Sequence, residues 1–86
     1  MYINIKDKLA EKKMNRNQFA KAVGIGYPAA RALYDGTTTK IEFSTLDSVC
    51  RVLDCTPNDI LVSNDETVQK RLLAYTKAIA KLYNNK

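Results

Sequence analysis

The stretch NRNQFAKAVGIGYPAARALYDG, residues 15–36, decides the fold because it holds two short apolar-periodic segments around a glycine-centred turn. Apolar residues recur at helical spacing on both sides of the turn, and these are Phe19, Ala20 and Val23 before it and Ala30, Leu33 and Tyr34 after it. Two short helices that meet at a tight turn form a helix-turn-helix, so we expect that motif here.

Local signals place the ends of both helices. Asn15 and Gln18 form the Asn-x-x-Gln pattern of a capping box, which predicts a helix over residues 16–23. Gly24 follows the last apolar residue, where a left-handed residue commonly ends a helix. The next helix is predicted over residues 27–34. We expect its outer side to carry Tyr27, Pro28, Arg31 and Ala32, and Asp35 to be a helix-end residue with no role in binding a partner.

Three more helices are predicted before residue 63. The first lies within residues 3–13, and the fourth spans residues 43–53 with Ser44 or Thr45 as its cap. A short fifth helix follows Thr56, with a proline in its first turn and three apolar residues after it. The residues expected in the core are Phe19, Ile25, Leu33, Phe43, Leu46, Val49 and Leu53.

A last amphipathic helix is predicted over residues 67–83, so we divide the chain into a domain at 1–63 and a C-terminal element at 64–86. One set of apolar residues is spaced 4, 3, 4, 3 like a coiled-coil seam, and it consists of Val68, Leu72, Tyr75, Ile79 and Leu82. The seam predicts a contact with a second copy of the chain, and packing on the chain's own domain is the alternative.

Charge is distributed unevenly along the chain. The net charge is +5, with eight basic and three acidic residues in 1–40, one and five in 41–65, and five and one in 66–86. Basic flanks around an acidic middle suit a polyanionic partner, although a solvated surface would look the same.

The sequence gives little support for a metalloprotein, an enzyme or a membrane protein. The chain has no histidine, and Cys50 and Cys55 have neither CxxC nor zinc-knuckle spacing, so we expect two reduced core cysteines and neither metal nor cofactor. No catalytic constellation or small-molecule substrate is evident. No apolar run is long enough for a membrane span, and the first ten residues lack a signal-peptide core, so we expect a cytoplasmic protein.

At about residues 3–62 the chain resembles the phage lambda repressor and Cro type of DNA-binding domain, often called the XRE family. The matching residues are Asn15-Arg16-x-x-Phe19-Ala20-x-x-Val23-Gly24-Ile25, Ala30-x-x-Leu33-Tyr34-x-Gly36, Phe43-x-x-Leu46 and Leu53-x-Cys55-x-Pro57-x-Asp59-Ile60-Leu61. The resemblance implies an all-α, five-helix, lambda-repressor-like helix-turn-helix domain, to which this chain adds a C-terminal amphipathic helix.

The resemblance also implies which residues contact DNA. Helix 27–34 would enter the major groove as the recognition helix, while the preceding helix lies across the backbone. Base-reading positions correspond to Tyr27, Pro28 and Ala32 with Arg31 adjacent, and phosphate-contacting positions to Arg16 and to Thr38, Thr39 and Lys40. Pro28 and Ala32 are apolar here, which leaves Arg31 as the strong candidate for bidentate guanine reading.

The expected function is that of a sequence-preferring, double-stranded DNA-binding transcriptional regulator, a repressor acting as a homodimer. The alternative is a protein-interaction module, such as an antitoxin or anti-regulator, that binds DNA weakly.

Overall fold

The computed structural model describes residues 1–74 and contains short helices joined by tight turns, with one small strand pair. The elements are β1 (Tyr2–Ile3), α1 (Lys6–Glu11), α2 (Arg16–Val23), α3 (Tyr27–Asp35), α4 (Phe43–Leu53), α5 (Pro57–Ile60) and β2 (Leu61–Val62). A further helix, α6, begins at residue 66 and is described to residue 74. The helical fold is confirmed. The seam residues Tyr75, Ile79 and Leu82 lie outside the described residues, and the division at residue 63 stays a prediction.

The strand pair is an addition to the predicted fold. Tyr2 pairs with Val62 and Ile3 with Leu61 in antiparallel register, and the Asn4 N–H donates to the Ile60 carbonyl over 2.7 Å. The extended segment at residues 2–3 delays the start of the first helix. The strand pairing also shortens the fifth helix, because Leu61 already has an extended backbone. The pair ties the first residues of the chain to the end of α5.

The helix caps predicted around α2 are confirmed. The Gln18 N–H donates to Asn15 Oδ1 over 2.8 Å and the Asn15 N–H to Gln18 Oε1 over 2.9 Å, which completes the capping box. Gly24 ends α2 with φ +83°, in the left-handed region. Asp65 Oδ1 accepts the backbone N–H groups of Thr67 and Val68 at the start of α6.

The cap predicted for α4 is wrong. The helix begins one residue before Ser44, at Phe43, and its N-cap is Glu42, which makes no side-chain capping hydrogen bond. Ser44 and Thr45 therefore lie inside the first turn, where the Ser44 carbonyl accepts a hydrogen bond from the Ser48 hydroxyl.

The core lies among α1 to α5 and β1. Its buried members are Ile3, Ile5, Leu9, Phe19, Ala20, Ala30, Leu33, Val49, Leu53 and Ile60, while Ile25 and Leu46 are half-buried against them. Phe43 was predicted to belong to this core and is 88% exposed. Helical periodicity gives the direction of a side chain around its helix but not whether another element covers that end, and the first turn of α4 is uncovered.

No helix within residues 1–74 combines the length and the apolar character needed to cross a membrane.

Candidate nucleic-acid interface

The outward face of α3 is set by what the helix buries. Ala30 and Leu33 are buried where α3 packs against α2, whereas Tyr27, Pro28 and Arg31 are exposed. Pro28 lies in the first turn, where the missing N–H costs no intrahelical hydrogen bond. The first two turns of α3 therefore present an aromatic ring, an apolar ring and a guanidinium together.

Ala32 is predicted to lie on this outer face, but in the structure it does not. It is half-buried and lines a shallow groove with Thr38 and Lys40 of the following loop and Thr45 of α4. A small side chain here lets the loop approach the helix. The structure thus brings three predicted site residues, Ala32, Thr38 and Lys40, to one concave surface, and Thr39 lies beside them along the edge of β1.

The loop after α3 is anchored by the end of that helix. The Thr37 N–H and hydroxyl both donate to the Ala32 carbonyl, over 3.0 and 3.4 Å. Gly36 has φ +74°, and a Cβ there would lie 3.2 Å from the Ile3 carbonyl oxygen. Only glycine fits both the backbone angle and the close approach to β1, so this residue fixes where the loop leaves α3.

Arg31 has a partner within its own helix. Its Nε lies 3.6 Å from Asp35 Oδ2, one turn further along, and both side chains are substantially exposed. Asp35 is the last residue of α3, the helix-end position predicted for it. An exposed pair of this kind is weak and opens easily, so Arg31 can still reach outward, but a carboxylate stays beside it.

Arg16 and Lys6 converge on a tyrosine of α3. The Arg16 guanidinium carbon lies 5.1 Å from the centroid of the Tyr34 ring, and Lys6 Nζ lies 5.3 Å from it. Arg16 is the first residue of α2 and Lys6 the first of α1. The sequence did not indicate Lys6 as a residue of this site, because its approach to the Tyr34 ring depends on how α1 packs.

The acidic middle of the chain is occupied by local contacts. Asp47 pairs with Arg51 along α4, and Asp59 Oδ2 accepts the Thr56 N–H over 2.8 Å in a capping box. Each of these carboxylates has a structural partner on its own or an adjoining element. Glu42 of the same segment lines the groove with Lys40, so the segment contributes a carboxylate to the surface formed by α3 and its loop.

Cys50 and Cys55 are free, half-buried thiols at the end of α4. The Cys55 N–H donates to the Cys50 carbonyl over 2.9 Å. Burial raises the pKa of both thiols, to about 11 for Cys55, whose thiol also donates a hydrogen bond to Cys50. Residues 1–74 contain no group of three histidine, cysteine or carboxylate side chains that could hold a metal ion.

Comparison with known proteins agrees with this geometry. The family model of the Cro/C1-type HTH DNA-binding domain matches residues 4–66. The chain is 39% identical over 59 residues to YozG of Bacillus subtilis (strain 168), an uncharacterized HTH-type transcriptional regulator, and the alignment covers 69% of this chain and 70% of YozG. No solved structure shows a significant match. The chain belongs to the Cro/C1-type helix-turn-helix DNA-binding family.

Proposed function

We propose that this protein is a transcriptional regulator that binds double-stranded DNA with a sequence preference, as a homodimer, and represses the genes it occupies. The observation that carries the proposal is the exposed face of α3, with Tyr27, Pro28 and Arg31 beside an anchored loop that bears Lys40. In this arrangement α3 enters the major groove while the loop follows the adjacent backbone.

The base contacts available to α3 are few. Arg31 is the side chain that can make two hydrogen bonds to a guanine edge, and Pro28 offers an apolar contact to a thymine methyl group. Tyr27, with 41% of its surface exposed, covers the start of the helix and can reach either a base or a phosphate. Phosphate contacts from Arg16, Thr38, Thr39 and Lys40 then supply most of the affinity.

A homodimer would place two copies of α3 about 34 Å apart on one face of the duplex. Val68 and Leu72 of the predicted seam are half-buried against the chain's own residues, beside Asn58, and the remaining part of each is exposed. Their heptad spacing supports pairing between two copies of that helix. A dimer on its operator excludes other proteins from the same base pairs, and this exclusion is the simplest basis for repression.

Selection of bound duplexes from a random pool tests the proposal directly. We expect a palindromic product with half-sites about one helical turn apart, bound with an affinity that falls steeply as salt rises. Sedimentation of the protein with and without the selected duplex gives the stoichiometry. A chain that shifts no duplex even at low salt would not be a DNA-binding regulator, and one monomer per selected site would rule out the homodimer.

The second candidate, a protein-interaction module with weak DNA binding, is favoured by the Asp35 carboxylate 3.6 Å from Arg31 on the proposed recognition face. Flat, weak affinity for all duplexes, together with a tightly co-purifying protein, would select it.

A further inference from the structure

Two cations meet at one aromatic ring on the side of the molecule where α1, α2 and α3 come together. Lys6 Nζ and the Arg16 guanidinium lie 5.3 and 5.1 Å from the Tyr34 ring centroid. Each is attracted to the negative potential of the ring face, while the two like charges repel each other. Because each cation lies little more than 5 Å from the same ring centroid, the two are at most about 10 Å apart.

Neither cation is neutralised by a carboxylate within the part of the chain that the structure describes. The ion pairs found there join Lys8 to Glu11, Arg31 to Asp35 and Arg51 to Asp47. An aromatic quadrupole does not cancel two full charges. The cluster of Lys6, Arg16 and Tyr34, which we call the Tyr34 cluster, is therefore a positively charged site with no carboxylate partner among residues 1–74.

We propose that the Tyr34 cluster binds a phosphodiester group of the DNA backbone, with Lys6 and Arg16 as paired ligands and Tyr34 as the residue that positions them. The inference rests on the proposed function and adds to it a residue of α1. A phosphodiester presents two anionic oxygens on one phosphorus, so it can pair with two cations that share one aromatic ring. The N–H groups at the start of α2, where Arg16 lies, add a further positive potential.

The position of the cluster along α3 supports this assignment. Tyr34 follows the groove-facing Arg31 by three residues, a rise of about 4.5 Å along the helix axis. A DNA strand that passes the end of α3 therefore contacts the Tyr34 cluster while the first turns of α3 face the bases. Such contacts fix the orientation of the helix in the groove but carry no sequence information.

The first test uses the salt dependence of binding, because it counts the phosphates that a protein neutralises. We compare Lys6→Gln with Lys12→Gln, which removes the same charge from the other end of α1, where Lys12 is exposed and away from the ring. The full chain is titrated with fluorescent random-sequence duplex between 50 and 200 mM salt. Each phosphate that a variant no longer neutralises lowers the slope of log K against log salt by about 0.9.

We expect Lys6→Gln to lower the slope by about 0.9 and to weaken binding equally on every sequence, while Lys12→Gln keeps the wild-type slope. Equal slopes for the two variants, with the wild-type protein still bound to duplex, would overturn the site and leave the proposed function standing. A wild-type chain that binds no duplex would overturn both.

The second test addresses the positioning role of Tyr34. Tyr34→Phe keeps the ring and should keep the wild-type slope, whereas Tyr34→Leu removes the ring and should lower the slope although both cations remain. Thermal unfolding of both variants, followed by circular dichroism, establishes that each is folded at the titration temperature. A folded Tyr34→Leu variant with the wild-type slope would remove the positioning role, since a purely structural residue would not change the number of phosphates neutralised.

Discussion

In α3 the Arg31 guanidinium and the Asp35 carboxylate approach to 3.6 Å, so the principal cation of the outward face already has a counter-ion in its own helix. The side chains are 64% and 41% exposed. Solvent screens such a pair, so it stabilises the helix little. The main consequence of the pair is for binding, since Arg31 must leave its counter-ion to contact DNA while Asp35 remains near the DNA.

Asp35→Asn is expected to strengthen binding to all duplexes by up to about fivefold. This factor corresponds to the free energy of one exposed ion pair, which Arg31 no longer has to break. The substitution frees Arg31 and removes a negative charge from the proposed contact face. Fluorescence anisotropy with target and random duplexes measures the effect. Asp47→Asn is the matched control because it frees Arg51 of α4 in the same way. Equal changes in the two variants would show that the gain is a general effect of charge.

Arg31→Ala is expected to reduce the difference in binding free energy between selected and random duplex by about 1–3 kcal/mol. The loss should fall on the selected sequence, because a bidentate guanine contact is absent from most random sites. Competition titrations measure the ratio. Arg51→Ala, which removes an arginine of α4, should leave it unchanged. If both variants keep the wild-type ratio, Arg31 does not read a base.

The parts of this fold that the sequence predicted are those whose contacts join residues close in the chain. Asn15 and Gln18 are three residues apart, and their two hydrogen bonds define the start of α2. Gly24 is likewise determined by the turn in which it lies. Such signals need no knowledge of tertiary packing, so the helix-turn-helix could be derived from residues 15–36 alone.

The parts that could not be predicted depend on which element covers which. Phe43 continues the apolar stripe of α4 but extends past the core, and the strand pair joins residues about 60 positions apart. Lys6 and Arg16 reach the same aromatic ring only because α1 and α2 both begin near Tyr34. Helical periodicity contains no information on any of these contacts, so the surface chemistry of the site required the structure.

Asn15→Ala is expected to lower the free energy of unfolding by about 1 kcal/mol, the usual cost of removing an N-cap side chain. The substitution leaves the Gln18 N–H at the start of α2 without its side-chain acceptor. Urea unfolding followed by circular dichroism measures it. Asn17→Ala changes the same residue type at an exposed position inside the helix, where the higher helix propensity of alanine should leave stability unchanged or slightly raised. Similar losses in both variants would mean that the capping box adds little.

Phe19→Ala and Phe43→Ala make the same chemical change in opposite environments. Phe19 is fully buried and Phe43 is 88% exposed. We expect Phe19→Ala to cost about 3–5 kcal/mol, enough to unfold much of a small domain, and Phe43→Ala to cost less than about 0.5 kcal/mol. Thermal unfolding distinguishes the two outcomes. A large loss of stability in Phe43→Ala would show that the first turn of α4 is covered in solution.

The two thiols predict how stability depends on pH at the alkaline end. Burial, helped by the neighbouring Cys50 and Asp59, raises the pKa of Cys55 from 9.0 to about 11, while Lys8 acts in the opposite direction. Between these two values the folded protein keeps a proton that the unfolded chain has lost, so stability falls as pH rises from about 9 to about 11. Below pH 9 the thiol is protonated in both states and the contribution is constant.

Cys55→Ala removes this titration and should give a shallower decline of the urea midpoint over the same range, whatever its effect on stability at pH 7. The difference between variant and wild type is the quantity that reports on Cys55. Parallel declines would mean that the Cys55 thiol is solvated in the folded protein.

The same burial should slow alkylation of both cysteines by iodoacetamide at pH 8 relative to the urea-unfolded chain, because the thiolate is the reactive form.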